Sequence, residues 1–412
     1  MRKQILAFGI ASVMALSLQA QVGPDISSWI INTTGATGYN SLPSNVQQVQ
    51  YTSTDVYVSA TCIPGYAIGP WNSNPNTPSN QNFVFKITRN PVQNTGTAVT
   101  TPMGHIGVWS NGVSIFNPKD GFYWNSSTNS FSSGGSGNNA WNRNALVYEG
   151  VSFDNCLGHP APNGEYHHHV NPKCLYNDAD STNHSPIIGY AFDGFPIYGA
   201  YGYTNVNGTG AIKRMQSSYV LSTATTRASG PPVNSTYPEG NMCEDYVYTA
   251  GAGDLDMHNG RFCVTPDYPS GIYAYFVTID ASLAPAYPFV LGSTYYGTVQ
   301  AGNSGPTGGH NTPSGTVTTY TPTSGIANVN EKITTLVYPN PTSDYLFFFI
   351  NPIASNNFTA TLVDALGRVV LKQDGVQPTI SYTFDVSQLP KGMYMLHLKN
   401  DSKAYTEKIL VK

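Results

Sequence analysis

The stretch FDNCLGHPAPNGEYHHHVNPKCLY, residues Phe153–Tyr176, holds the densest run of potential metal ligands in the chain. Four of the nine histidines lie within it, namely His159, His167, His168 and His169. The Gly, Pro and Asn residues before the histidine run predict a tight turn that leads into a strand. Alternate side chains of a strand share a face, so His167 and His169 should point one way and His168 the other.

This pattern predicts a metal site, because neutral imidazole is the commonest protein ligand for zinc and copper. His159 follows a glycine and precedes a proline, in a turn from which it can reach the neighbouring strand. We expect His159, His167 and His169 to hold copper or zinc, with His184 as a candidate fourth ligand or acid/base group. If the site is catalytic, an open position on the metal would activate water or O2.

Two alternatives compete with the metal interpretation. The cluster can instead be a buried set of imidazole and aromatic rings satisfied by backbone hydrogen bonds, and His184 can be a turn residue bonded to nearby backbone. The protein would then be a non-catalytic surface module that binds a glycan, a protein or another small molecule. Its many Tyr and Trp residues, among them Trp71, Trp109, Trp124 and Trp141, would form a stacking platform.

Composition points to an exported protein. Only 10% of the 412 residues are charged and the net charge is −4, against roughly 25% charged residues in an average soluble protein. No basic run is present, so nothing supports nucleic-acid binding. Residues 1–20 have the pattern of a secretory signal peptide, with Arg2 and Lys3 before an apolar run. No later run reaches the roughly 18 apolar residues of a membrane span, so we expect no transmembrane segment in the mature protein.

Export into an oxidising compartment favours disulfide bonds. The chain has five cysteines, so at least one is left over. Pairing by sequence neighbours suggests Cys156 with Cys174 and Cys243 with Cys263, which leaves Cys62 free. The first bridge would close the loop that carries the histidines.

The pattern along the chain predicts a mainly β protein in three parts. Residues 22–299 form a large, irregular β-rich domain, residues 300–330 a linker rich in Gly, Ser, Thr and Pro, and residues 331–412 a small β-sandwich. Strands of the large domain are predicted at Asp55–Ala60, Asn82–Thr88, Gly107–Ile115 and Tyr273–Ile279.

The last part resembles the type A sorting domain of the type IX secretion system. The segments YPNPTSDYL (Tyr338–Leu346), VDALGRVV (Val363–Val370), LPKGMYMLHL (Leu389–Leu398) and the terminal KILVK carry the resemblance. It implies the type IX machinery as a partner and a protein that is secreted or attached to the outer cell surface, usually with the tail removed.

The large domain resembles the YHYH family. The resemblance rests on GHPAPNGEYHHH (Gly158–His169), HSPIIGYAFDGFPIYGAYGY (His184–Tyr203), GDLDMHNGRF (Gly253–Phe262) and YPSGIYAYFVTID (Tyr268–Asp280). One departure from the motif is His168, which stands where the family's name has a second Tyr. The resemblance identifies a fold unit and names no reaction.

Other polar residues of the domain have structural interpretations. We interpret His105 and the Asp254–Asp256 pair as structural, the latter because the bidentate Glu of a calcium loop is missing. Asp193 would become a general base only if its aromatic neighbours bury it and raise its pKa.

Overall fold

The structure is a computed structural model. It describes residues 22–134, 140–305, 308–322, 334–351, 358–377, 381–400 and 404–412. The predicted signal peptide and the last part of the predicted linker lie outside these residues.

The mainly β prediction is confirmed. The described part of the chain contains two four-residue α-helices, α1 (Pro24–Ser27) and α2 (Ala145–Tyr148). It also contains three short 3-10 helices, at Tyr39–Ser41, Gly150–Ser152 and Cys243–Asp245. Strands make up the rest of the regular structure.

The large domain contains nineteen strands within the described residues, many of them only two to five residues long. In chain order they are β1 Val46–Tyr51, β2 Asp55–Ala60, β3 Phe83–Thr88, β4 His105–Trp109, β5 Ser114–Phe116, β6 Lys119–Asn125, β7 Ser130–Ser133, β8 Asn142–Asn144, β9 His159–Pro160, β10 Tyr166–His168, β11 Ile187–Ala191, β12 Pro196–Tyr198, β13 Tyr201–Tyr203, β14 Ile212–Arg214, β15 Tyr219–Leu221, β16 Tyr246–Tyr248, β17 Gly260–Cys263, β18 Ile272–Phe276 and β19 Thr318–Thr319. Three of the four predicted strands correspond to β2, β3 and β18, whereas the fourth is a hairpin of β4 and β5 around a turn at Gly112.

An eight-stranded sheet is the centre of this domain. Its strand order is β17-β18-β12-β11-β4-β5-β10-β9, and it is antiparallel except at the β12/β18 and β5/β10 pairs. All residues of β4 and β11 are buried, because both faces of the central strands are covered by other parts of the domain. The pair β9 and β10 forms one end of the sheet.

A four-stranded antiparallel sheet, ordered β19-β1-β2-β3, packs into the same core. β3 shows the alternation of buried and half-buried residues expected of a sheet with one face in the core. Its Phe83, Phe85 and Ile87 join the core alongside Ile106 and Val108 of the central sheet. Smaller sheets, β6 with β7 and β8, β13 with β14, and β15 with β16, surround this core.

The structure differs from the predicted linker over the part that it describes. Gly309 and Asn311 hydrogen-bond to Val84 on the outer edge of β3, and Asn303 is fully buried with its side chain bonded to the Lys86 backbone. Further along, β19 pairs with the opposite edge strand, β1. We call the described part of residues 302–320 the strap. The strap has few apolar residues, because Gly, Ser and Thr dominate its composition. Its backbone and its asparagine side-chain amides nevertheless supply the hydrogen bonds that the sheet edges need.

One predicted disulfide is confirmed and the other is wrong. Cys156 and Cys174 are bonded, with Cα atoms 5.1 Å apart. Cys243 and Cys263 are free and buried, as is Cys62. Cys243 lies in a 3-10 helix with Sγ 3.5 Å from the Pro118 carbonyl oxygen, whereas Cys263 lies on an end strand of the central sheet. Closeness in sequence therefore did not bring these two thiols together.

The C-terminal part is a β-sandwich, as predicted. The strands that the structure describes here are β20 Thr334–Tyr338, β21 Tyr345–Asn351, β22 Phe358–Val363, β23 Val369–Val376, β24 Ser381–Asp385, β25 Gly392–Lys399 and β26 Ala404–Val411. They form a three-stranded sheet, β20-β21-β24, and a four-stranded sheet, β23-β22-β25-β26. Residues from both sheets share one apolar core, which includes Phe348, Phe384, Leu362 and Leu396.

Within the described residues, no helix has the length and apolar character needed to cross a membrane.

Candidate metal site

The β9–β10 hairpin brings the first two histidines of the cluster face to face. His159 on β9 is the register partner of His167 on β10. The connection turns at Gly164, whose φ of 81° lies in the left-handed region and where a Cβ atom would clash with Ser79. The Asn-Gly turn seen in the sequence thus sets the register that opposes the two imidazoles.

The Nε2 atoms of three histidines converge in this hairpin. His167 Nε2 lies 3.1 Å from His159 Nε2 and 3.1 Å from His169 Nε2. All three nitrogens lie within 4.8 Å of one another, and all three residues are buried. In a tetrahedral site with metal–nitrogen distances of about 2.0–2.1 Å, neighbouring ligand nitrogens are roughly 3.3 Å apart. The two spacings at His167 are therefore close to those of ligands around one ion, and the third pair, His159 and His169, lies within 4.8 Å.

The other nitrogen of each ring is held by an oxygen atom. His167 Nδ1 lies 3.0 Å from the Glu165 carbonyl oxygen and His169 Nδ1 lies 2.6 Å from the Asn117 carbonyl oxygen. Because a carbonyl only accepts, both Nδ1 atoms donate.

The same logic applies to His159 through a serine. His159 Nδ1 is 2.7 Å from Ser152 Oγ, and this hydroxyl donates its own proton to the Glu149 carbonyl oxygen, also at 2.7 Å. The hydroxyl must therefore accept from His159, whose Nδ1 carries the proton. In their neutral forms, all three rings consequently present an Nε2 lone pair to the centre of the cluster.

Facing lone pairs at 3.1 Å repel one another unless a cation lies between them. A proton on His159 or His167 is a poor candidate at neutral pH. Burial and the neighbouring His169 imidazole lower the pKa of His159 to about 3, and burial together with His159 holds the pKa of His167 well below its usual value. The donor set therefore suits a metal ion that accepts neutral imidazole.

A carboxylate outside the predicted set of ligands lies beside the cluster. Glu149 Oε2 is 3.1 Å from His169 Nε2 and 3.8 Å from His159 Nε2. Glu149 follows α2 and is ten positions before His159, outside the histidine-rich stretch. The sequence offers one hint: acidic residues are few in this chain, and one of them lies shortly before the histidine-rich stretch.

Aromatic rings form the wall of the cluster. Phe116 stacks on His167 with ring centroids 3.8 Å apart and an interplanar angle of 21°. Phe153 packs edge-on against His159 at 4.8 Å and lies parallel to His169. These rings restrict the orientation of the imidazoles and exclude water from the sides that they cover.

A rigid frame surrounds the hairpin. The Cys156–Cys174 bridge encloses the segment that carries all three histidines. Two residues before the bridge, buried Asp154 accepts hydrogen bonds from the backbone N–H groups of Cys156, Gly158 and Gly69 and from the Tyr166 hydroxyl. The frame fixes both ends of the loop independently of any bound ion.

His168 lies on the other face of β10, as strand alternation predicts. Its ring contacts Trp109 and Tyr166. Both of its nitrogens are buried without a hydrogen-bond partner, and burial lowers the pKa of His168 to about 4. It is a packed core residue, and the ring in this position can be aromatic without disturbing the cluster.

The structure does not bring His184 into the group. Its Nδ1 lies 2.7 Å from the Ser185 carbonyl oxygen, and its ring lies among Tyr198, Tyr203 and Phe276. These contacts agree with the alternative interpretation, in which His184 is a turn residue bonded to nearby backbone. Burial lowers the pKa of His184 below its ordinary value.

The remaining candidates have structural contacts. Asp193 is fully buried, which raises its pKa to about 6, and it accepts hydrogen bonds from Tyr275 and the Gly297 N–H. Asp254 pairs with Lys213, and Asp256 accepts from the Tyr273 hydroxyl. His105 lies 3.0 Å from Glu165 Oε1.

The four tryptophans do not form a common platform. Trp109 is fully buried in the main core, and Trp124 is buried against Phe131 and Tyr237. The indole N–H groups of Trp71 and Trp141 donate to backbone carbonyls of Gly158 and Ala228. Two of the four rings are thus closed to a glycan.

Fold and site together define a large β-rich domain with a buried three-histidine cluster, followed by a β-sandwich. The family model described as "YHYH protein" matches residues 84–288, and the one described as "Secretion system C-terminal sorting domain" matches residues 336–412. The chain is a YHYH protein with a C-terminal sorting domain. It is secreted through the type IX system to the cell surface or the extracellular space.

A comparison with curated proteins finds no match. Among solved structures, the chain is similar to PorZ, described as an essential bacterial surface component of the type-IX secretion system of Porphyromonas gingivalis. The identity is 10% and the TM-score 0.17, with 89% of this chain covered. The chain spans 59% of the length of that PorZ chain.

Proposed function

We propose that this secreted YHYH protein binds one transition-metal ion, copper or zinc, through His159, His167 and His169. The observation that carries the proposal is the convergence of three Nε2 atoms whose Nδ1 partners are all occupied by oxygen atoms. Outer hydrogen bonds of this kind are the usual support of metal-binding histidines.

The competing explanation is a cluster of structural histidines. It accounts for the Nδ1 atoms, which are satisfied by Ser152 and by carbonyl oxygens of the backbone. It does not account for the Nε2 atoms, which face one another without a donor between them when the rings are neutral. Buried polar atoms rarely stay in that condition.

Metal content tests the proposal directly. Purified protein should hold about one equivalent of copper or zinc after exposure to either ion and removal of excess. His169→Ala should lose the ion, because it deletes one of the converging nitrogens. His184→Ala is the matched control and should retain it, since His184 is committed to backbone and aromatic contacts.

The result that contradicts the proposal is a wild-type protein that binds neither ion. Equal metal content in the His169→Ala variant would also contradict it, because the ion would then be held elsewhere. Loss of metal in the His184→Ala variant would restore the four-histidine site that the sequence suggested.

An enzymatic form of the proposal requires an open position. Three histidines and a water form a common catalytic zinc site, and such a site activates the water. Whether a fourth protein ligand occupies that position decides between a closed and an open centre.

A further inference from the structure

Glu149 lies where a fourth ligand would. Its Oε2 atom is 3.1 Å from His169 Nε2 and 3.8 Å from His159 Nε2, within the range of the spacings among the three imidazoles. The same atom is buried and makes no hydrogen bond of good geometry. A buried carboxylate oxygen without a donor is costly unless a cation lies beside it.

Solvent access distinguishes this carboxylate from the three imidazoles. The Glu149 side chain is 29% exposed, whereas those of His159 and His169 are 6% and 3% exposed. The Glu149 side chain therefore reaches solvent, although its Oε2 atom, which faces the cluster, is buried. A molecule that approached the cluster along this side would meet Glu149 first.

Hydrogen bonds fix the backbone of Glu149, whereas its side chain is partly exposed to solvent. Its N–H donates to the Ala145 carbonyl oxygen at 2.8 Å, and its own carbonyl accepts from both the N–H and the hydroxyl of Ser152. That hydroxyl also orients His159. Movement of the carboxylate by rotation about its side-chain bonds would leave the orientation of His159 unchanged.

We propose that Glu149 is a displaceable fourth ligand, which a small external monoanion such as a carboxylate replaces; this inference rests on the proposed function. In the exchange the bond from the metal to Glu149 Oε2 breaks and a bond to the incoming anion forms. One anionic donor replaces another on the metal, so the oxidation state of the metal does not change. The freed Glu149 carboxylate stays ionised and turns toward solvent, so the protein with its bound anion carries one more negative charge. Carboxylate oxygen and imidazole nitrogen are both accepted by zinc.

The surface beside Glu149 suits an organic anion. Val147 and Val151, two positions before and after it, are 48% and 67% exposed. Both valines are exposed apolar side chains on the segment that carries Glu149, and we infer that the alkyl part of an organic carboxylate contacts them. Inorganic monoanions would use the same position without that contact.

Cobalt(II) provides the test because its visible absorption reports the ligands around it. Wild-type protein and the Glu149→Ala, Val151→Ala and His167→Ala variants would be loaded with Co²⁺ and titrated with azide and with acetate. Glu149→Ala should bind Co²⁺ at least about tenfold more weakly, since even a lost outer partner costs roughly 10- to 100-fold. Acetate should restore its absorption spectrum toward that of the wild type.

Azide should bind the Glu149→Ala protein at least about tenfold more tightly than the wild type, because a tethered carboxylate competes at high effective concentration. Val151→Ala lies on the same segment and should match the wild type in the azide titration, because azide has no alkyl part that could contact the valine. His167→Ala should bind no Co²⁺ in the site, with or without acetate.

Two outcomes overturn the inference in distinguishable ways. If wild type binds Co²⁺, His167→Ala does not, and Glu149→Ala matches wild type in Co²⁺ and azide affinity, Glu149 is not a ligand although the metal site stands. If the wild-type protein binds no Co²⁺, both the proposed metal site and the proposed role of Glu149 as its fourth ligand are wrong.

Discussion

His167 and His168 are neighbours on β10 and both are almost completely buried, yet their surroundings on the two faces of the strand differ. On one face, His167 Nδ1 is bonded to a backbone oxygen and its Nε2 meets two other imidazoles. On the other, both nitrogens of His168 lack a partner and the ring packs against Trp109. Burial alone therefore does not identify a ligand. The useful sign is an occupied Nδ1 that directs a free Nε2 toward other donors.

The largest expected effect comes from His167→Ala. His167 Nε2 is the atom that lies 3.1 Å from both of the other ligand nitrogens, so its removal should lower metal affinity by more than the roughly 100-fold cost of a lost outer partner. Competition with a coloured chelator would measure the change. An affinity equal to that of wild type would mean that the two faces do not differ in function.

Acid should reveal the contribution of His168 to the stability of the metal-free protein. Burial lowers the pKa of His168 to about 4 from an ordinary 6.5, so the unfolded chain takes up a proton that the folded chain resists. The contribution of His168 is therefore present above pH 6.5 and is lost as the pH falls toward 4. At about 1.4 kcal/mol per pH unit, the loss reaches about 3 kcal/mol.

Urea unfolding of wild type and His168→Phe at neutral pH and near pH 4 would measure that loss. His168→Phe should lose less stability between the two pH values, because phenylalanine takes up no proton. An identical pH dependence in both proteins would show that His168 does not resist protonation in the fold.

Ser152→Ala should have a smaller effect on metal binding than His167→Ala. It removes the group that accepts from His159 Nδ1, and outer partners of this kind change metal affinity by roughly 10- to 100-fold. Ser114→Ala is the control, since Ser114 is equally buried beside His167 but its hydroxyl contacts Cys62. Equal affinities in the two variants would remove the link between the serine and the imidazole.

The smallest effect is expected from His168→Phe on metal affinity. Its side chain lies on the face away from the cluster, so the affinity should equal that of wild type in the same chelator competition. A variant that folds at neutral pH but has lost its metal would show that the two faces are coupled through the strand.

The sequence predicted the features that depend on local rules. Alternation along a strand placed His167 and His169 on one face. The sequence put His159 in a tight turn that can reach that strand, whereas the structure places it on the end strand β9 as the register partner of His167. The Cys156–Cys174 bridge followed from closeness in a short loop. The β-sandwich followed from its strand and turn pattern and from the segments of the sorting domain.

What the sequence could not predict depends on contacts between distant segments. Glu149 reaches the cluster from the residue that follows α2, ten positions before His159, and no spacing rule predicts this contact. Cys243 and Cys263 are close in sequence and yet belong to separate elements of the fold. The strap has the composition of a flexible linker, and only its hydrogen bonds to Val84, Lys86 and Val49 reveal it as folded.

The strap has a consequence for the behaviour of the exported protein. It supplies hydrogen bonds to β3 along one edge of the four-stranded sheet and pairs with β1 along the other. Uncovered edges are templates on which a second chain can add a strand and begin aggregation. A cut after Pro322 that freed the sorting domain would leave both edges covered, whereas a cut before Asn303 would uncover them. The strap therefore determines how far the chain can be shortened before exposed sheet edges allow one molecule to associate with another.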